Sequence, residues 1–234
     1  MGILTSTEVL DEFSSDFPGS VPDGRRLVVI DGQAVKNGLG ISSADRLEWI
    51  FRECAKLCDA PTPAQIQAAQ NSSLTKLKPC AGYLLDLPGV GVVVGPHKDL
   101  TWPEHVENTT KFDRLNNFTS AIDQIQLHRY VYDHELGHIA ERGNVAPSDK
   151  YKVNYRECVA DTYAILRHRQ RFGFENDFSK QIQAMRSFRA FLGDIDHDTA
   201  DAIGAAERFA MDHRDNLQNM SPPEMLGVAK DIAR

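Results

Sequence analysis

The sequence predicts an α+β fold, mainly helical, organised as a single domain over residues 1–234. Three observations carry this expectation. Short apolar or β-branched runs punctuate the first half, at Leu27-Val28-Val29-Ile30, Tyr83-Leu84-Leu85-Asp86-Leu87 and Val90-Gly91-Val92-Val93-Val94. From about Thr119 onward the pattern turns helical. The first of those helical stretches contains His134-Glu135-Leu136-Gly137-His138, a His-Glu-x-x-His motif. Residues 1–115 are therefore expected to form a mixed α/β part, and residues 116–234 a helical part that carries the motif.

The chain is 234 residues long, enough to bury a real core, and its 41% apolar and 25% charged content is that of an ordinary globular domain. A formal net charge of -7 argues against a nucleic-acid binder. No apolar run approaches the roughly eighteen residues of a transmembrane helix. The N-terminus lacks the basic and apolar regions of a secretory signal, so the expected location is the cytoplasm, or outside it by a route without a conventional signal peptide. Met1-Gly2-Ile3-Leu4-Thr5-Ser6 fits a myristoylation pattern, read here as a chance match. Of the four cysteines, Cys54 and Cys58 have no matching pair at zinc-finger spacing. With Cys80 and Cys158 they read as buried free thiols of a reducing compartment.

Taken in order, Thr7 to Phe13 suits a short helix, ended by Pro18-Gly19 and Pro22-Asp23-Gly24. Leu27 to Ile30 reads as a buried strand closed by Asp31-Gly32. A helix capped by Ser42 or Ser43 runs to about Cys58, with Leu47, Ile50, Phe51, Cys54 and Cys58 on one face. Thr62-Pro63 opens a second, weakly apolar helix to Gln70. Tyr83–Leu87 and Val90–Val94 form a hairpin around Pro88-Gly89. An exposed edge of that sheet could hold a substrate peptide by strand addition. His97 and His105 are placed in a following surface loop.

The second half reads as a series of helices. One spans about Thr119 to Arg142 and stops at Gly143-Asn144, so the His-Glu-x-x-His motif occupies its last turns. The next begins near Lys152 and ends at Gly173. Three more cover about Asp177 to Leu192, Thr199 to Leu217, and Ser221-Pro222 to the C-terminus, the last weakened by Gly227.

On a helix, His134 and His138 sit one turn apart on the same face and can grip one Zn²⁺. Glu135, too close to bind the same ion with them, can take a proton from a water on the metal. On the following helix, Glu157 and Asp161 share a face, where two acids repel unless a cation or donor lies beside them. Ala160 between them leaves room for another helix to approach.

Together, His134-Glu135-x-x-His138 and Glu157-x-x-Ala160-Asp161 resemble the gluzincin zinc peptidases, the broad group that includes thermolysin-like enzymes. The resemblance covers only about Tyr132 to Tyr163. It implies a zincin-like fold, with a small sheet upstream of the motif helix and a helical C-terminal half. It further implies zinc as cofactor, Glu157 as third ligand, and Asp161 as the acid that hydrogen-bonds a ligand histidine, expected to be His134. The implied activity is a zinc metalloendopeptidase that cleaves a protein or peptide substrate, with Glu135 as general base. Such enzymes take an oxyanion donor from a later His or Tyr, and His197 is the candidate, alternatively a residue that helps cap the next helix. The metzincin pattern fails, since it needs glycine at Glu141 and histidine at Asn144. Asp149 or Asp161 is an alternative third ligand. Tyr163 is expected in the core, and His168 lies too far along its helix to ligate. The competing functional readings are a non-catalytic zinc-binding protein and a zinc hydrolase of non-peptide amides.

Overall fold

The computed structural model describes residues 2–19, 26–33, 83–87, 90–110, 122–141 and 150–234. The two helices expected between Ser42 and Gln70, the cysteines Cys54, Cys58 and Cys80, the Gly143-Asn144 stop and Asp149 lie outside the described residues. Within them the chain is mainly helical with one small sheet.

Helix α1 spans Ser6–Asp16, longer than the Thr7–Phe13 expected. A reciprocal cap fixes its start: the Glu8 amide donates to the Thr5 hydroxyl, and the Thr5 amide donates to Glu8 Oε2 at 2.8 Å. Its apolar face, Val9 and Phe13 followed by Phe17, is buried. Its acidic face meets three arginines. Glu12 pairs with Arg129 at 2.6 Å, with Arg167 at 3.2 Å and with Arg171, while Asp16 pairs with Arg167 at 2.7 Å.

The sheet has the order β1-β3-β2. β2 (Tyr83–Leu87) and β3 (Val90–Val94) form the expected hairpin, with Leu87 opposite Val90 and Tyr83 opposite Val94. β1 (Arg26–Ile30) lies parallel to β3 on its other side, Leu27 opposite Gly91 and Ile30 opposite Val94. The valine-rich run is therefore the central strand, as a doubly covered strand should be. At Gly91 a β-carbon would stand 2.9 Å from Ile139 Cδ1, so the motif helix packs closely over this strand.

Helix α2 (Trp102–Thr110) corrects the expectation of a surface loop here. His97 is 0% exposed and His105 is 5% exposed, neither at the surface. His105 stacks on Trp102 with ring centroids 5.8 Å apart, and His97 Nε2 lies 3.1 Å from Glu104. Trp102 and Val106 are the only large apolar side chains of α2 and the rest of its buried face is polar, so the sequence pattern does not mark it as a helix.

The remaining helices are α3 (Gln124–Glu141), α4 (Lys150–Phe172), α5 (Phe178–Phe191), α6 (Ala200–Asp212), α7 (Arg214–Leu217) and α8 (Pro222–Ile232). A 3-10 turn, Ile195–His197, joins α5 to α6. The single helix expected over Thr199–Leu217 is thus two, interrupted at His213, whose Nδ1 lies 3.0 Å from the Phe209 carbonyl oxygen. Ser221 and Glu224 close a capping box at the head of α8.

α4 is the central helix and packs on α3, α6 and α8. One of its faces sends Val159, Tyr163 and Leu166 into a core shared with α1, the sheet and α8. Another sends Ala164 and Ile165 into a core with Trp102, Leu127, Ile182 and Ile203. α3 is buried on most sides, which accounts for its imperfect helical spacing in the sequence. Among the described residues no helix is long and apolar enough to cross a membrane.

Candidate metal centre

The metal-ligating candidates meet because α3 and α4 cross closely. A β-carbon on Gly137 would sit 3.2 Å from Ala160 Cα and 3.3 Å from Tyr163 Cδ1. Glycine and alanine at that crossing bring the backbones together. One turn either side, side chains from the two helices converge.

His134 Nε2 and His138 Nε2 lie 3.2 Å apart. Glu157 Oε1 is 3.3 Å from His138 Nε2, and Glu157 Oε2 is 3.5 Å from His134 Nε2. All three residues offer ligand atoms within 4.8 Å of one another and could hold a metal ion. Glu157 Oε2 is buried, with His134 Nε2 at 3.5 Å and His197 Nε2 at 3.7 Å.

Asp161 is wholly buried behind this cluster. Its Oδ1 lies 2.7 Å from His134 Nδ1. In the neutral imidazole, with the Nδ1 proton facing Asp161, the Nε2 lone pair faces Glu157 and His138. Tyr130 Oη donates to Asp161 Oδ1 at 2.6 Å, Arg186 Nη2 donates to the same oxygen at 2.8 Å, and Thr199 Oγ1 donates to Oδ2. Burial opposes the charge on Asp161, but Arg186 and His134 outweigh it and hold the carboxyl far below the usual range. Asp161 lies on the Nδ1 side of His134, and the three-residue cluster does not include it.

The same balance acts on the ligands. Burial opposes charge on Glu157, yet His138 and His134 keep it well below its ordinary value. Burial also opposes charge on His134, and the Asp161 and Glu157 carboxylates override it, lifting the imidazole to about 10. Glu135 goes the other way. It is 8% exposed, and burial raises its carboxyl despite the two histidines.

His197 closes the 3-10 turn with Nε2 3.7 Å from Glu157 Oε2. Its Nδ1 lies 2.7 Å from Asp194 Oδ1, and Asp194 is held in turn by Arg189 at 2.6 Å. It does not cap α6, whose N-cap is Thr199. The turn is tied to α4 by Asn154 Nδ2, which donates to the carbonyl oxygens of Ile195 and Asp198 at 3.1 and 3.0 Å. Tyr163 is in the core, 2% exposed. His168 is also buried, stacked on Phe178 at 3.9 Å, and remote from the cluster. Cys158, next to Glu157, is a buried free thiol.

Sequence reasoning missed Tyr130, Arg186 and Thr199. A signal existed for Arg186, which sits beside Phe178, Ile182 and Met185 on the buried face of α5. A charge placed on an apolar face needs a partner. Thr199 was legible only as a helix start; its hydroxyl makes no capping bond and turns to Asp161 instead. Compared with known proteins, the chain matches no family model, no curated protein and no solved structure.

Proposed function

We propose that the protein is a zinc-dependent metallopeptidase with a zincin-like, gluzincin-type centre. One observation carries the reading: His134, His138 and Glu157 present two nitrogens and a carboxylate at 3.2–3.5 Å from one another. Two imidazoles and a carboxylate suit zinc, and three protein ligands leave one position open. Zinc bound there supplies a Lewis acid for a peptide carbonyl and makes a water acidic near neutral pH.

The remaining tasks fall to the chain's own groups. Glu135 accepts the proton of the attacking water and passes it to the leaving amine. Burial raises its carboxyl pKa, which favours taking up the proton it must later pass on. Asp161 keeps His134 in the tautomer that offers Nε2. His197, with Nδ1 held by Asp194, presents Nε2 at the rim; burial lowers its pKa, so Nε2 can donate to a carbonyl oxygen only once the ring takes up a proton as charge develops. β2 is an edge strand of the described sheet and lies against α3, so its outer backbone can hold an extended peptide.

The test is zinc content together with cleavage of an unfolded protein by the wild type and by Glu135→Gln. The expected result is one equivalent of zinc in both and cleavage by the wild type alone, with Glu135→Gln slower by about 10²-fold or more. One equivalent of zinc without Glu135-dependent cleavage would overturn the peptidase reading and leave the metal centre standing.

A further inference from the structure

Arg186 is 4% exposed, and its neighbours along α5, Ile182 and Met185, are buried apolar side chains. A guanidinium in that setting is costly unless it is fully paired. Its pairing points one way. Nη2 donates to Asp161 Oδ1 at 2.8 Å, and Nε stands 2.8 Å from Oδ2 as an ion-pair contact without hydrogen-bond geometry. The same Nη2 is 4.0 Å from Glu157 Oε2.

We infer that Arg186 is a positioning residue for the metal centre, setting the plane of Asp161 and thereby the direction in which His134 offers Nε2. The inference rests on His134, His138 and Glu157 holding the ion. Arg186 and Tyr130 donate to Oδ1 and Thr199 donates to Oδ2, so the carboxylate is held on both oxygens and Oδ1 stays against His134 Nδ1. Tyr130 and Thr199 add one bond each but carry no charge. Arg186 alone among these donors brings a fixed positive charge, and it stands between two acids that share a face of α4. Through it α5 is joined to the site, although α5 supplies no ligand. A lysine could provide the charge, but its ammonium is a point donor and cannot hold the carboxylate plane.

The experiment measures zinc affinity by chelator competition and the visible spectrum of the Co²⁺-loaded protein, with circular dichroism to establish folding. It uses the wild type, Arg186→Met, Arg186→Lys and Thr199→Val. The expected result is zinc affinity about 10- to 100-fold lower in Arg186→Met, with an altered Co²⁺ spectrum. Arg186→Lys should recover part of the affinity, and Thr199→Val should lose less than Arg186→Met. A folded Arg186→Met protein with wild-type affinity and an unchanged Co²⁺ spectrum overturns the inference and leaves the metal centre intact. A wild type that binds no zinc overturns the metal centre itself, and the inference with it. If Arg186→Met does not fold, the decision passes to the other two variants. Wild-type affinity in both Arg186→Lys and Thr199→Val then overturns the inference.

Discussion

Gly137 and Ala160 face each other where the two ligand-bearing helices cross, with a β-carbon on Gly137 only 3.2 Å from Ala160 Cα. The crossing sets the distance between the histidines of α3 and the acid of α4. Enlarging it should damage the site before it damages the fold. Ala160 is 0% exposed, so Ala160→Leu overpacks a closed contact. The expected cost is about 1–3 kcal/mol of stability, together with a marked loss of zinc affinity. Thermal unfolding and chelator competition check the two effects; unchanged zinc affinity in a destabilised protein would refute the geometric link.

Glu12 anchors the N-terminal helix through three arginines, two of them on α4 and one on α3. Arg171 is shared with Asp133, the residue before His134. Removing the Glu12 charge leaves largely buried arginines short of a partner. Glu12 is itself one-third exposed, which discounts the penalty. Glu12→Gln should cost about 1–2 kcal/mol and release α1. Faster amide exchange at Val9 and Phe13, with exchange along α4 little changed, is the expected signature.

His168 makes the fold sensitive to acid. It is 1% exposed, stacked on Phe178, and its Nε2 lies 2.9 Å from Gln126 Oε1. Burial, helped by Arg169 and Arg171, holds its pKa down to about 3. The unfolded chain, with an ordinary histidine, takes the proton first. Between about pH 6.5 and 3 the unfolded state therefore binds more protons, and stability rises with pH. The contribution is fully present above that window and is lost as pH falls through it. From pH 7 to 4.5 the loss should be roughly 2–3 kcal/mol. His105 and His128, also buried and held down to about 3 and 4, act in the same direction. His168→Phe should therefore reduce this pH dependence in urea unfolding without abolishing it; an equal slope in both proteins would show that His168 is not a source.

Cys158 should be inert despite its place beside Glu157. Burial raises its thiol to about 11, with the carboxylates of Asp161 and Glu157 adding to the effect. Its Sγ lies 3.7 Å from Asn154 Oδ1. Under native conditions at pH 7.5, iodoacetamide should leave the Cys158 peptide unmodified for hours by mass spectrometry. Labelling is expected only once urea opens α4.

Much of the second half was legible because its signals are local. Glycines after α4 and α5, Ser221-Pro222 before α8, and the His-Glu-x-x-His spacing all act within a few residues along one helix. The hairpin was readable for the same reason. The parallel partner of β3, the burial of His97 and His105, and the break at His213 were not. Each depends on what lies across from the residue in space.

By itself the sequence determined that two imidazoles share one helix face and that two acids share another, because helical periodicity is a property of the backbone. Only the tertiary structure decided that those faces meet. It did so through a glycine-to-alanine crossing, a carboxylate with donors from α3, α5 and Thr199, and an arginine on a helix that contributes no ligand. The hydrogen bonds to that carboxylate span 25 to 38 residues of chain, and no periodic pattern reaches so far.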